Sequence, residues 1–268
     1  MLTYEPGKVL IAAHRGVAGA NIPCNTKAAF QIALQQGADI LELDVACSKD
    51  GKLFVFHPNK EKPHLGIDTF LKDMTAAEIS KLRYVNQDDT PTSYGVTPLD
   101  EMLDFLKGKA YINLDKFWKY PEAITEIIRR VGVEEQVIVK IRAKLEELDR
   151  LEVCAPDLAV MPVIKGKDTF TDMALERNVN YIGVEVLFSS DDDDVVSDSY
   201  IQKMHDRGLL VYGNAIVYDE TKVISAGHTD DRALTGDPEG GWGWFAEKKF
   251  DVIQTDWCMM LKQYLLKR

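Results

Sequence analysis

The chain has 268 residues, 46% hydrophobic and 28% charged, the composition of a folded globular protein with ample core rather than of a disordered one. Its formal charge of −11 argues against the polyanion-binding surface that nucleic acid needs, so any phosphate bound here must be held by a local site. No apolar run approaches the roughly 20 residues of a spanning helix, which argues against stable membrane insertion. The four scattered cysteines, Cys24, Cys47, Cys154 and Cys258, suggest four free thiols, neither a zinc site nor a disulfide framework.

The first residues, Met1 to Lys8, have no signal-peptide pattern, which fits a cytoplasmic protein, or a secreted or periplasmic one whose leader has been removed. Short β-rich apolar runs then alternate with longer amphipathic ones. The predicted strands are 9–13, 40–45, 110–114, 137–140, 159–163, 181–186, 209–213 and 251–254. The predicted helices are 25–36, 99–106, 121–131, 143–152, 168–178, 197–206 and 257–266, with 75–82 as an extra. Eight such strands with intervening helices imply parallel pairing through right-handed crossovers and a closed (β/α)8 TIM barrel, an α/β fold, as one domain over 1–268. A doubly wound open sheet is the alternative.

Two stretches interrupt the alternation. Residues 57–98 are too long for a βα loop and read as a cap inserted after the second strand. Residues 226–245, rich in Gly and Asp and containing Trp242 and Trp244, form a second long loop of the kind that is functional or disordered. The run Asp191 to Asp194 lacks EF-hand spacing and reads as a solvated loop.

Barrel chemistry sits at the C-terminal strand ends, where this chain delivers His14 and Arg15, Glu42 and Asp44, Asp115 and Lys116, Lys140, Glu185, Asn214, and Thr255 with Asp256. Glu42 and Asp44 are two apart on one strand and therefore share a face. The "SKDG" turn at 48–51 folds the chain back, and with its centre between Lys49 and Asp50, His57 is expected opposite Glu42. Glu42, Asp44 and Asp115 are three hard oxygen ligands, suited to a divalent cation, Mg²⁺ or Ca²⁺, more than to zinc. The bland alternative pairs them with Arg15, Lys116 or Lys140 as salt bridges. His14 and His57 flank the acids as an acid and base pair, whereas His64 and His205 read as structural and His228 stays open.

These residues carry a resemblance. "AHRGVAGANIPCNT" (13–26) resembles the HRG…PENT opening of the glycerophosphodiester phosphodiesterases, and "ELDVACSKDGKLFVFHP" (42–58) resembles their ExDV…TKDG…VxHD segment. "VTPLDEML" (96–103) is similar to the family's iPTLeEvL, and "FDVIQTDWCMMLKQYL" (250–265) to its closing aDgIiTDyP. The resemblance implies a TIM barrel with a small cap that hydrolyses glycerophosphodiesters to glycerol 3-phosphate and an alcohol. It further implies that Glu42, Asp44 and Asp115 bind the metal, that His14 and His57 are catalytic, and that Arg15 lies on the phosphate. The chain differs from the pattern in having Cys24 for Glu, Pro58 for Asp, Asp115 for Glu, and Phe117 where a phosphate-binding Lys is usual. Lys116 and Lys140 are then the candidates for that lysine. Two readings compete with the hydrolase: a catalytically silent barrel that binds a phosphorylated ligand, and a related phospholipase for a larger headgroup, on which Trp118, Trp242 and Trp244 would stack.

Overall fold

A computed structural model describes residues 7–217, 219 and 221–268; the leader reading above therefore rests on residues of which 1–6 lie outside the described part. Among the described residues the strands are β1 (Leu10–His14), β2 (Ile40–Cys47), β3 (Leu53–Val55), β4 (Thr97–Pro98), β5 (Tyr111–Asp115), β6 (Val137–Arg142), β7 (Ala159–Lys165), β8 (Gly183–Leu187), β9 (Leu210–Asn214) and β10 (Val252–Thr255). All but β3 and β4 pair in parallel with their sequence neighbours, and β1 pairs with both β2 and β10. The ring is closed, a TIM barrel and not an open sheet.

Strand periodicity explains both layers of the barrel. Residues two apart point the same way, so Leu10, Ala12, Ile40, Ile138, Met161, Leu210, Tyr212 and Val252 pack together inside the ring. The intervening Ile11, Ala13, Leu41, Leu43, Ile112, Leu114 and Ile253 face outward onto Phe30, Leu103, Ile124 and Leu148 of the surrounding helices. Burying one such Leu or Ile is worth about 1.5–3 kcal/mol, which makes the register hard to slip. Continuing the inward set toward the C-terminal ends puts polar groups on the barrel mouth: His14 follows Ala12, Glu42 and Asp44 follow Ile40, and Lys140 follows Ile138.

The excursion after β2 begins as an antiparallel hairpin. Ser48 N donates to Lys52 O at 2.9 Å, and Gly51 takes φ +86°, so three residues, not two, make the turn. The pairs are Val45 with Val55, Ala46 with Phe54 and Cys47 with Leu53, which carries position 57 opposite 43 and corrects the predicted partner by one residue. Beyond it, residues 57–98 build a core of their own from Phe56, Leu65, Leu71, Ile79, Tyr84 and Val96 against Ala46 and Phe54. The predicted helix at 75–82 is shorter, Ala76–Ile79, and is held by a capping box between Thr75 and Glu78.

The helix predicted over 168–178 is also short, Thr171–Ala174. Residues 175–180 leave it because their backbone turns back to the barrel floor, where Asn180 N donates to Pro156 O at 2.9 Å. The long loop is ordered, with helices at Asp230–Leu234 and Trp244–Glu247 joined through a π-helical turn at Glu239–Gly243. No helix among the described residues is long and apolar enough to cross a membrane.

Candidate active site

The parallel registers Glu42 with Asn113 and Asp44 with Asp115 bring the acidic residues of β2 and β5 side by side. Glu42, Asp44 and Asp115 offer carboxylate oxygens that all lie within 4.8 Å of one another. Burial and the neighbouring Asp44 and Asp115 push the Glu42 carboxyl well above its usual range. Burial also raises Asp115, against the opposing pull of Lys116. At Asp44 burial works against the charge, yet Arg15, His57 and Lys116 hold it below the usual range. Asp44 Oδ1 is buried and accepts no hydrogen bond. An all-oxygen set with one such orphaned lone-pair donor fits a hard divalent cation.

Basic groups already touch two of the three acids. Arg15 Nε lies 2.9 Å from Asp44 Oδ2, Lys116 Nζ lies 3.6 Å from Asp44 Oδ1, and Lys116 also pairs with Asp115. Asn25 Nδ2 donates to Asp44 Oδ2 at 3.2 Å. Arg15, Asn25 and Lys116 all sit in the left-handed region, with φ of 56°, 58° and 64°. That backbone turns each side chain back onto Asp44 at the end of its loop. Glu42 accepts the backbone N–H of Arg15 at 3.0 Å and feels the charges of Arg15 and Lys116.

Two imidazoles flank this cluster and are held by different partners. His57 Nδ1 is 2.8 Å from the Pro58 carbonyl, to which it donates, leaving Nε2 unprotonated and 3.8 Å from Asp44 Oδ1. Burial, with Arg15 and Lys116, lowers His57 to about 4. His14 Nδ1 lies 2.9 Å from Asp256 Oδ1, so a carboxylate holds and orients that ring. Both open into one cavity of about 670 Å³ at the barrel mouth, which also meets Glu42, Asp115 and Lys116.

The family model for the glycerophosphoryl diester phosphodiesterase family matches residues 14–214, three quarters of the chain, and those residues hold every site group above except Asp256. The chain belongs to this family. It is 37% identical over 146 residues to the glycerophosphodiester phosphodiesterase of Caldanaerobacter subterraneus subsp. tengcongensis, a match over 49% of this chain and 57% of that one, so the chain spans little more than half of that relative. To the glycerophosphodiester phosphodiesterase of Bacillus subtilis it is 28% identical over 230 residues, 78% of this chain and 76% of that one. A crystal structure of a glycerophosphoryl diester phosphodiesterase from Parabacteroides distasonis shares the fold with TM-score 0.80 at 18% identity, over 98% of this chain and 88% of that one.

Two departures from the family pattern, Phe117 and Cys24, have a place in the structure. Phe117 is buried core, and it is Lys116, reversed by its left-handed backbone, that meets the acids. Lys140 is fully buried and salt-bridged to Glu185 at 2.9 Å, with its ammonium 4.0 Å from the Tyr212 ring centroid, and burial lowers its pKa. Cys24 lies 4.0 Å from His64 Nε2 beneath the cap, its thiol pushed up to about 12 by burial. All four cysteines are free.

The tryptophans of the long loop do not reach the cavity, which corrects their assignment to a headgroup. Trp242 is 3% exposed and donates Nε1–H to Asp230 at 2.6 Å, while Trp244 stacks on His228 at 4.1 Å. Their size pays for folding the loop rather than for binding, because aromatic surface of this kind is worth most when desolvated. His228 is thereby fixed as structural, between Gly240 O at 2.6 Å and Asp191 at 2.8 Å. His205 is likewise held, 3.0 Å from Asp251.

Sequence reading missed Asp230. It is buried, accepts from Trp242 Nε1, from Thr255 Oγ1 at 2.7 Å and from Asp256 N at 2.9 Å, and so ties the loop to the residue that holds His14. Burial pushes its carboxyl up to about 7 against those three donors. The signal available was the Thr-Asp pair at 229–230, an N-cap followed by an acid, which reads as an ordinary helix start.

Proposed function

We propose that the chain is a divalent-cation-dependent phosphoric diester hydrolase that cleaves glycerophosphodiesters to glycerol 3-phosphate and an alcohol. The observation that carries this reading is the convergence of three carboxylates and two differently held imidazoles on one cavity. Family membership supports it. Glu42, Asp44 and Asp115 would hold the cation, Mg²⁺ or Ca²⁺, which when bound neutralises charge on the nonbridging phosphate oxygens. Arg15 and Lys116 lie beside it for the phosphate.

The hydrogen bonds support a division of labour between the imidazoles. His57, neutral and with Nε2 free to accept, takes the proton of the nucleophile, which is water or the substrate's own 2-hydroxyl. His14, oriented by Asp256, gives a proton to the departing alcohol oxygen as the P–O bond breaks. Release of glycerol 3-phosphate from a glycerophosphodiester, lost with EDTA and restored by Mg²⁺ or Ca²⁺, is the expected result. No turnover under any metal would overturn the reading.

One observation favours a second reading, a silent barrel that binds a phosphorylated ligand. Arg15 and Lys116 already neutralise Asp44 and Asp115 without a metal. That reading requires glycerol 3-phosphate to bind equally well with and without chelator.

A further inference from the structure

The cavity extends well past the groups assigned to phosphate chemistry. Its far side is built by the ends of β7 and β8 and the segment after β9, where Val163, Leu187, Ile216, Val223 and Ile224 form an aliphatic wall. The wall runs out to solvent, with Val223 50% exposed at its edge. Lys165 stands on the same side, exposed, and makes no ion pair among the described residues.

Among the described residues no group on this side suits a cationic headgroup. The one carboxylate among those that line it, Glu185, is held by Lys140 at 2.9 Å and by Asn214 Nδ2 at 2.9 Å. Among the described lining residues Trp118 is the only Trp, Tyr or Phe, and its ring already carries Lys116 at 5.4 Å and Arg142 at 5.7 Å. Among the described residues a quaternary ammonium would find neither a free carboxylate nor an open aromatic face, and would meet Lys165 instead.

We infer that the alcohol arm of the substrate crosses the barrel mouth onto this aliphatic wall, so that the site prefers glycerophosphodiesters of aliphatic, non-cationic alcohols to those of choline. This rests on the hydrolase reading above. Each methylene buried there is worth up to about a fourfold gain in kcat/KM.

The test is a series of glycerol 3-phosphate esters of methanol, butanol, hexanol and choline, assayed with Mg²⁺ or Ca²⁺. The hexyl ester is expected to exceed both the methyl and the choline ester at least tenfold in kcat/KM. Val223→Asp, at an exposed position, flattens the dependence on chain length, and Lys165→Glu raises the choline ester relative to the hexyl ester. A choline ester cleaved best, or a chain-length dependence that is flat in the unaltered protein, overturns the inference while leaving the hydrolase reading intact. If no ester is cleaved the hydrolase reading fails, and calorimetric binding of the same esters decides the preference by the same criteria.

Discussion

His57 and His14 differ in what their Nδ1 atoms touch, a backbone carbonyl in one case and a carboxylate in the other, and this difference has a kinetic signature. Because His57 is lowered to about 4, it stays neutral and able to accept a proton well below the ordinary histidine range. The acid limb of the kcat/KM profile is therefore expected below pH 6.5, close to 4, and an inflection at or above 6.5 counts against His57 as the base. His57→Ala is expected to cost about 3–5 kcal/mol of transition-state stabilisation, read as a loss of roughly 10² to 10⁴ in kcat/KM with the fold intact. At this scale the acids and His14 were legible because strand periodicity places them on the mouth, and His57 because the hairpin turn after β2 returns the chain beside them. Arg15 and Lys116 were legible as possible salt-bridge partners of the acids, but which acid each meets was not, since their contacts depend on positive φ values that no periodicity announces.

Among the elements, the hairpin and the long loop carry the lesson. The turn at 48–52 was recognisable from its Asp-Gly pair, but a three-residue loop in place of a two-residue one moved the register by a position. His57 still arrives beside Asp44, because the ring is long enough to span the difference. The loop over 226–245 was legible as exceptional by its length, whereas its role was not, because Asp230 acts through tertiary hydrogen bonds with Trp242, Thr255 and Asp256. Asp230→Ala removes the acceptor for three buried donors and is expected to destabilise the protein by about 2–4 kcal/mol in denaturant unfolding. It should also lower kcat more than it raises KM, by freeing Asp256 and with it His14. A variant that loses stability but keeps full kcat would separate the loop from the site.

For the molecule as a whole, alternation of strand and helix was enough to read a closed barrel, since eight parallel units in this length leave few other ways to bury both faces of every strand. The cap was read from loop length, and its separate core from Phe56 to Val96 was not, because that cluster follows neither period. On the proposed reading, a chain of net charge −11 with buried acids on its mouth gains from a divalent cation beyond catalysis. At a hundredfold excess over its dissociation constant, such an ion stabilises the folded state by about 2.7 kcal/mol, and Tm is expected to rise by about 5–10 °C. Calorimetric scans with and without EDTA measure this, and Asp44→Asn should abolish most of the increment.

The three left-handed residues around Asp44 imply a conflict between endurance and chemistry. Each holds a conformation that glycine adopts freely and that costs other residues on the order of 1 kcal/mol, less for asparagine. Random libraries at 15, 25 and 116 sorted only for resistance to heat should drift toward glycine, whereas libraries sorted for turnover should keep arginine and lysine. On the proposed reading, the backbone here is tuned for the reaction at the expense of its own comfort.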